Sequence, residues 1–422
     1  MGINVVAPGE VIVEKISLFN FDKSKEFSLL TQAKTIIVYE DVYKPTIYAE
    51  IAIMDYFDII NKFPIIGEEK IEISIRTPGA DTPITYNLFI YSIVDYKLKK
   101  NTKSSTYTLK CVSEEQIFDT VNLVTKAYKA EISNIVPDIL YNSMYSKKGW
   151  LTEESKGVQE LIIPKMNPLK AIDFLRKRAV SIKYESSSFV FFENSRGFNF
   201  FTLERLFEEN SKKIGTKVFS YNPALNVTDD TGNPANMTYK SFRNILSHTT
   251  TSKYDTIGKL QNGMFNNKTV SFDLLSKKIN ETNFIFPEKV ERFAFIDKDF
   301  VLQNSAKFTG AFSSNEGHRF FLPQDLSRSE TFIEDSLGAK VAFYNMIGQQ
   351  KTLAKVYGDT TMAAGDVITC DFLTPTSTPD NSKPDDRTKG NYLVIQLAHA
   401  IRQEEGNKFM HEMSLGLLKG NY

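Results

Sequence analysis

Two stretches of this chain, far apart in the sequence, repeat one pattern, and the repetition constrains the fold more than any other feature. Residues 67–78 read GEEKIEISIRTP, and residues 365–375 read GDVITCDFLTP. Each has a glycine, acidic charge, alternating apolar residues and a final Thr-Pro. Alternation with a period of two is typical of a strand with one buried face. The pattern favours one β architecture that is present twice.

The similarity extends beyond the two opening stretches. When the two stretches are aligned on Thr-Pro, three isoleucines of the first align with apolar residues of the second: Ile71, Ile73 and Ile75 match Ile368, Cys370 and Phe372. The next strands also align, with Leu88, Phe89 and Ile90 on Leu393, Val394 and Ile395. After a one-residue slip, a third strand follows: Tyr107, Leu109 and Cys111 match Met413, Leu415 and Leu417.

Upstream, TIYAEIAIMD (46–55) is aligned with TVSFDLL (269–275), although few residues are identical. Chance similarity between two three-stranded antiparallel stretches is the alternative. The order, the spacing and the shared Thr-Pro favour a duplicated domain with another unit inserted between the copies.

Between the two copies the apolar period becomes helical. Ser113 and Gln116 form a capping-box pattern, and the helix predicted after them runs through Val124 and Tyr128. A second helix is predicted over 131–146. A third begins at the cap Asn167 with Pro168 in the first helical position and continues to Ser181. An aromatic hairpin, 186–203, completes this unit.

These patterns divide the chain into five parts. We expect a first β domain at 1–112, an α+β domain at 113–210 and a polar, turn-rich linker at 211–238. The second β domain is predicted at 239–279 and 340–422, interrupted by an irregular segment at 280–339. The loop 375–390 is poor in apolar residues and is expected to be exposed.

Composition excludes several classes of protein. The formal net charge is +0, from 51 basic and 51 acidic residues, which argues against a dedicated, sequence-specific nucleic-acid binder. Two cysteines do not make a disulfide framework. The N-terminus has no secretion signal, and no apolar run approaches the roughly 20 residues of a membrane helix. We expect a chain made in the cytoplasm without a stable membrane anchor.

No pattern of residues indicates a catalytic, cofactor-binding or metal-binding site. No phosphate-binding glycine loop is present, and His411-Glu412 lacks the second histidine of a zinc motif. His248, His318 and His399 are scattered, and His399 is interpreted as a structural residue within a strand. Cys111 and Cys370 are expected in the core. The acidic pairs Glu114-Glu115 and Glu208-Glu209 are interpreted as solvated or helix-terminal charges.

Four segments carry a resemblance to a known family. They are PKMNPLKAIDFLRKRAVS (164–181), FVFFENSRGFNFFTL (189–203), NGMFNNKTVSFDLL (262–275) and the terminal LVIQLAHAIRQEEGNKFMHEMSLGLL. In their order, they resemble the central baseplate hub subunit of contractile-tailed phages, which is related to the hub module of type VI secretion spikes. In that family a proline-capped helix precedes a short aromatic hairpin.

The resemblance implies an α+β, β-rich fold with two tail-tube-like antiparallel β-barrel domains and an inserted α+β domain. It implies a structural virion protein of the tail baseplate. Three chains would form a pseudo-sixfold ring that joins the trimeric tail spike to the hexameric tail tube. The implied partners are the spike, the tube protein, the tape-measure protein in the bore and surrounding baseplate proteins. Because the sequence ends at Tyr422, after the second copy, the spike is expected to be a separate protein.

Two other functions compete with this expectation. A tail-associated hydrolase of peptidoglycan or polysaccharide would need a carboxylate pair that is adjacent only in space. A carbohydrate-binding module would need exposed aromatic residues, especially tryptophan, and Trp150 is the only tryptophan in the sequence.

Overall fold

The computed structural model describes the chain in segments separated by gaps. The described residues are 8–63, 65–99, 104–211, 217–220, 243–252, 255–285, 318–323, 332–347, 350–372, 388–404 and 408–420. They form mainly antiparallel strands with helices between them, which confirms the β-rich α+β character predicted from the sequence. Within these segments, no helix combines the length and the apolar character that crossing a membrane requires.

The N-terminal segment, residues 8–113, is almost entirely strand. Its elements are β1 (Glu10–Phe19), β2 (Glu26–Ser28), β3 (Ala33–Asp41), β4 (Tyr48–Asp55), α1 (Ile59–Lys62), β5 (Lys70–Arg76), β6 (Ile84–Lys99) and β7 (Ser104–Ser113). Alternate side chains of β4 and β5 are buried, among them Ile51, Ile53, Ile71 and Ile73. Each fully buried side chain of this kind contributes about 1.5–3 kcal/mol. The predicted inward face of residues 71–75 is confirmed.

The middle segment, residues 114–211, alternates helices and strands. Its elements are α2 (Glu114–Val121), β8 (Val124–Ala130), α3 (Ile132–Ser143), β9 (Trp150–Thr152), β10 (Gln159–Met166), α4 (Pro168–Arg176), β11 (Phe189–Asn194), β12 (Gly197–Thr202) and α5 (Leu203–Ser211). The predicted hairpin is present as β11 and β12. Its rings Phe189 and Phe200 stack with centroids 4.6 Å apart and pack on α3 and α4 in one core.

The C-terminal segment, residues 217–420, returns to strands. Its elements are β13 (Val218–Ser220), β14 (Ile245–Ser252), α6 (Thr256–Gln261), β15 (Asn266–Phe272), β16 (Ile279–Ile285), β17 (His318–Pro323), α7 (Ile333–Ile347), β18 (Gln350–Tyr357), β19 (Val367–Asp371), β20 (Gly390–Gln403) and β21 (Phe409–Gly420). The strands β15, β16 and β17 form a small sheet of their own.

One large sheet joins strands of the N-terminal and C-terminal segments. Its order is β13-β19-β20-β3-β4-β7-β6-β5-β1-β21-β18-β14, and β20 also pairs with β21. Following the pairings from β20 through β3, β4, β7, β6, β5 and β1 leads to β21 and back to β20. The hairpin β20–β21 therefore closes the series of N-terminal strands, and its Ile401 and Phe409 complete their core.

The hairpins β6–β7 and β20–β21 have the same register, with an irregularity at the same place. In β6 the pairing shifts just after Ile90, which lies opposite Cys111. In β20 it shifts just after Val394, which lies opposite Leu417. Such a bulge inserts one residue and redirects the chain beyond it. The pairs beyond the two bulges also correspond: Ile93 with Leu109, and Leu397 with Leu415.

The flanking strands continue this correspondence. Strand β4 pairs with β7 as β18 pairs with β21, and β3 pairs with β4 as β14 pairs with β18. A register shift again occurs in both cases, between Ala33 and Thr35 in β3 and between Ile245 and Ser247 in β14. One difference is that β1 runs antiparallel to β5, whereas β13 runs parallel to β19.

The structure corrects two details of the sequence alignment. Ile71 lies opposite Leu88, whereas Ile368 lies opposite Tyr392, so Tyr392 and not Leu393 occupies the matching position. A slip of one residue moves a side chain to the other face of a strand, and Leu393 indeed packs in a different core from Tyr392. The match of 46–55 to 269–275 is also wrong, because β15 lies in the separate small sheet.

The first predicted helix is too long. It ends at Val121, and residues 124–130 form β8, which pairs with β10. The helix from Pro168 begins as predicted but ends at Arg176. The second predicted helix is confirmed as α3.

The segments around the predicted boundaries contain elements that the sequence did not reveal. Helix α7 was not predicted, and it crosses the proposed boundary between residues 339 and 340. In the predicted linker 211–238, residues 218–220 form β13, and apart from Ser211 and 217–220 that linker lies outside the described residues. All of 286–317 and most of the loop 375–390 also lie outside them.

Candidate functional site

One face of an eight-stranded stretch of the large sheet, β14-β18-β21-β20-β3-β4-β7-β6, lies at the surface. On one face, side chains such as Val38 and Leu415 are buried in the cores below. On the other face, the side chains are exposed or half-buried. Tyr39 is 38% exposed and Leu353 is 61% exposed. We call this second face the open face.

The open face is concave where the two segments meet at β20 and β3. A cavity of about 460 Å³ lies there, lined by residues of β3, β14, β18, β20 and β21, and most of its exposed lining is apolar. Gln396 donates a hydrogen bond to Asp41 across the junction at 2.9 Å. Lysines and carboxylates are both present, so the surface has no strong net charge.

A buried charge cluster joins the N-terminal strands to the middle segment. Lys148 Nζ lies 2.6 Å from Glu115 Oε2 and 2.6 Å from Glu193 Oε1. Ser113 Oγ donates to Glu193, and Ser146 Oγ donates to Glu115. Burial raises the pKa of Glu193, and Lys148 opposes that effect. Burial alone would lower the pKa of Lys148, but the two carboxylates outweigh it and raise this pKa.

This cluster replaces the capping box that the sequence predicted. Ser113 precedes α2, but its hydroxyl makes no cap hydrogen bond and instead contacts Glu193 on β11. The cap of α4 is also supplied from elsewhere. Asp119 Oδ1 accepts a hydrogen bond from the Leu169 amide, while Asn167 donates to the Asp119 carbonyl. At the N-termini of α2 and α4, contacts with residues distant in the sequence therefore replace the local caps that the sequence predicted.

Glu40 on β3 is a second meeting point of the three segments. Its carboxylate accepts hydrogen bonds from the Tyr86 hydroxyl, from the Ser195 amide at the hairpin turn and from the Ala364 amide. Burial raises the pKa of Glu40 to about 7, against the opposing effect of these donors. The distances are 2.8 Å for both amides, so this carboxylate is held in place by backbone donors.

Two further buried carboxylates are held by hydroxyl groups. Glu204 accepts from Ser186 and Ser188, and Glu153 accepts from Ser181 and Thr202. Of the acidic pairs singled out in the sequence, Glu114 forms an ion pair with Lys70, and Glu115 belongs to the charge cluster. Glu208 pairs with Lys183, while the Glu209 side chain lies outside the described residues. Each described carboxylate named here has a structural partner.

The histidines are not gathered at a surface. His399 and His411 lie on neighbouring strands, fully buried, with Nδ1 of the first 2.9 Å from Nε2 of the second. Burial lowers the pKa of His399 to about 4 and also lowers the pKa of His411. His248 packs on the Phe372 ring, and the His318 side chain lies outside the described residues. Among the described residues, no group of three or more candidate ligands could hold a metal ion.

The two cysteines lie in different cores and are not bonded to each other. Cys111 belongs to the core of the N-terminal strands, and Cys370 to that of the C-terminal strands. Burial raises the pKa of both thiols, which keeps them protonated and unreactive.

Sequence reasoning missed the residues that join the segments: Glu40, Lys148 and Glu193. A signal for two of them exists, because each glutamate interrupts an apolar strand, in VYEDVY and in FVFFEN. A charge at a buried position needs a partner. Nothing in the sequence identifies Lys148 as that partner.

The fold of this chain is similar to that of solved tail proteins. The structure resembles a tail protein from Neisseria meningitidis, with a TM-score of 0.55 and 8% identity, covering 96% of each chain. It also resembles the 43 kDa tail protein of prophage MuSo2 from Shewanella oneidensis, with a TM-score of 0.54 and 8% identity, covering 96% of this chain and 98% of that one. An E. coli component of the type VI secretion system aligns over 97% of this chain and 76% of that one, with a TM-score of 0.46 and 7% identity.

No family model and no curated protein matches the sequence. The predicted resemblance to phage tail proteins is confirmed at the level of the fold. At 8% identity this similarity shows the fold alone.

Proposed function

We propose that this protein is the homotrimeric hub of a phage tail baseplate, in which three chains form a pseudo-sixfold ring between a trimeric spike and the hexameric tail tube. The observation that carries the proposal is the shared register of the two sets of strands. Both sets have bulges after equivalent residues, Ile90 and Val394, and again near the start of β3 and β14.

The shared register supports an internal duplication. Bulges are sequence-specific irregularities, so four strands on each side that agree in pairing and in two bulges are best explained by a common origin. We propose two tail-tube-like β-barrel domains, formed by the N-terminal strands with β20–β21 and by the C-terminal strands, with the middle segment inserted as an α+β domain. The boundaries 112/113 and 210/211 fit this division.

The duplication matters because of symmetry. A ring of six equivalent modules can be built from three copies of a chain that contains two modules. The open face presents four strands from each set, and a threefold ring would place it repeatedly around one axis. This explains why the two sets share one continuous sheet instead of being joined by a flexible linker.

The proposed partners follow from this position. They are the spike on one side of the ring, the tube protein on the other, the tape-measure protein in the bore and the surrounding baseplate proteins. The balanced charge of the open face suits passage of a polymer along the bore without strong binding. The proposed location is the tail baseplate of the virion, and no cofactor is needed for this function.

We further propose that the role is structural and not enzymatic. A hydrolase of peptidoglycan or polysaccharide would need carboxylates free to reach a substrate. The buried carboxylates Glu115 and Glu193 share Lys148 between them, and Glu40 is occupied by backbone amides. No observation favours the hydrolase.

The proposal is tested by the mass of the assembled protein. Light scattering of the full chain should give three times the chain mass of 48.0 kDa. Averaged electron micrographs of the same sample should show a ring of six lobes of similar size. A monomer at all concentrations, or a ring with three unlike pairs of lobes that do not superpose, would overturn the proposal.

A further inference from the structure

We infer that the turn between β15 and β16 is a membrane-contact site, which inserts its leucines into the surface of a bilayer that contains anionic lipids. We call residues 273–279, with the sequence DLLSKKI, the hairpin tip. This surface takes no part in the function proposed above, and the inference does not depend on the trimer. The contact is reversible, and its partner is the lipid surface itself.

The hairpin tip carries the two most exposed large apolar side chains among the residues that the structure describes. Leu274 is 77% exposed and Leu275 is 86% exposed. Ile279, where β16 begins, is 66% exposed, and Phe321 on β17 is 67% exposed. Single exposed leucines are common on protein surfaces, but a group of them at one end of a small sheet indicates an interaction surface.

Ile279 and Phe321 extend the apolar surface from the tip onto the small sheet. Ile279 pairs with Phe272 on β15. Phe321 pairs with Val270, two residues earlier on the same strand, so all four side chains share one face. Phe284 lies on the other face, which packs in a core with α7. The sheet is therefore held to the protein by one face, and the other face is presented to solvent.

The turn that presents the leucines is ordered by hydrogen bonds. The amide of the buried Asp273 donates to the Lys278 carbonyl at 2.9 Å across the turn. The Asp273 carboxylate accepts from the Leu275 amide at 2.8 Å and from the Ser276 hydroxyl. Lys277 has a φ of 55°, in the left-handed region that reverses the chain. The exposure of the leucines is therefore a property of a defined turn.

The arrangement of the two leucines favours a lipid surface over a protein partner. Leu274 and Leu275 are consecutive, so their side chains point in different directions, and both are more than three quarters exposed. A protein pocket covers side chains from fixed directions and would have to wrap around the whole tip. Acyl chains are fluid, and they surround an inserted tip on all sides.

The lysines beside the leucines favour anionic lipids. Lys277 and Lys278 are exposed, and their amines form no ion pair with any residue that the structure describes. Asp273 is the only acidic residue of the tip, and the turn already holds its carboxylate. Near an anionic surface each lysine strengthens binding by about fivefold. Long lysine side chains keep their amines at the headgroups while the neighbouring leucines enter the apolar layer.

The size of the apolar group predicts weak, reversible attachment. Leu274, Leu275 and Ile279 carry no more hydrocarbon than a single myristoyl chain, which by itself gives only marginal membrane binding. Half saturation of such binding requires about 0.1 mM lipid. The hairpin tip is thus a point of contact, and it does not anchor the chain stably.

Sedimentation of the full chain with vesicles tests the contact. At about 1 mM lipid, the native protein should sediment with vesicles of phosphatidylethanolamine and phosphatidylglycerol. It should sediment much less with vesicles of phosphatidylcholine, which carry no net charge. Leu274→Ser with Leu275→Ser should weaken binding by at least about tenfold, because two apolar side chains no longer leave water. Lys277→Ser with Lys278→Ser should weaken it by a similar factor.

The matched control removes two equally exposed apolar side chains elsewhere. Val121 and Ile162 are 74% and 70% exposed on the middle segment. Val121→Ser with Ile162→Ser should bind the anionic vesicles as the native protein does. Urea unfolding of every variant should match that of the native protein, which shows that lost binding does not come from misfolding.

Fluorescence distinguishes insertion from attraction by charge alone. The emission of a Leu275→Trp variant should shift to shorter wavelength with anionic vesicles and should be quenched by brominated acyl chains. Trp150 of the native protein lies in the core of the middle segment, so its emission should not change.

Three results would overturn the inference. The first is a native protein that does not sediment with anionic vesicles, which would leave a protein as the partner of this surface. The second is equal binding by the native protein and the leucine variant. The third is a Leu275→Trp emission that vesicles do not alter, because the leucines would then stay in water.

Discussion

Replacing Lys148 by methionine is expected to destabilise the junction between the N-terminal strands and the middle segment. Methionine keeps much of the side-chain length but removes the charge that lies 2.6 Å from both Glu115 and Glu193. These two carboxylates are only 4% and 3% exposed, so water cannot replace the lost ammonium. Removing one partner from a buried ion pair costs about 3–5 kcal/mol, which is a large part of a domain's stability of about 5–15 kcal/mol.

The destabilisation should shrink as the pH falls. Burial already raises the pKa of Glu193, and loss of Lys148 raises it further because the opposing charge is gone. The folded variant then holds more protons than the unfolded chain at pH values between the unfolded and the folded pKa. Its stability relative to the native protein therefore increases from neutral pH towards about pH 4.5, by up to about 1.4 kcal/mol per pH unit for one carboxyl.

Urea unfolding followed by the fluorescence of Trp150 measures the loss of stability in the segment that contains the charge cluster. Trp150 is the only tryptophan, and it lies two residues from Lys148 in the core of the middle segment. The matched control is Lys147→Met, because Lys147 is exposed. If the two variants differ by less than about 0.5 kcal/mol in unfolding free energy at pH 7.5, the size of an ordinary surface effect, the reasoning about this cluster is wrong.

Three further predictions follow from the packing of the strands. A Cβ at Gly358 would lie 2.0 Å from the His411 ring. Overpacking of this kind costs about 1–3 kcal/mol, so Gly358→Ala should lower the urea midpoint by the corresponding amount. An unchanged midpoint would contradict this packing. The pKa of His399 is about 4 in the folded chain and near 6.5 when unfolded, so the unfolded state binds more protons in that window. Stability should fall by about 3 kcal/mol from pH 6.5 to pH 4, and His399→Gln should flatten that slope in urea titrations. Cys111 and Cys370 should react with a thiol reagent only after denaturation, and rapid reaction of either in the native protein would refute their burial.

Local patterns predicted the elements whose partners are close in sequence. Pro168 marked the start of a helix because its fixed φ suits the first turn, and the aromatic hairpin was evident from its alternating phenylalanines and the turn at Gly197. The alternation of residues 71–75 identified the buried face of β5. In each case the information lies within a few residues of the element itself.

The predictions that were wrong concern residues whose conformation depends on contacts with distant parts of the sequence. Val124 and Tyr128 have helical spacing, but pairing with β10 makes this stretch a strand. The alignment placed Leu393 where Tyr392 belongs, because the register of this strand is set by its pairing with β19, which the sequence does not show. The charge cluster joins residues from three distant positions, and Lys148 resembles any surface lysine until the fold brings it between two buried glutamates.

The hairpin β20–β21 has a consequence for how the chain is made. It supplies Ile401 and Phe409 to the N-terminal core and pairs with β1 and β3. On the ribosome, β3 emerges long before β20, and at about 5–20 residues per second the delay is on the order of tens of seconds. During that time the nascent N-terminal strands have open edges and an unfinished core. The core of the N-terminal strands therefore cannot be completed until residues 390–420 have been made.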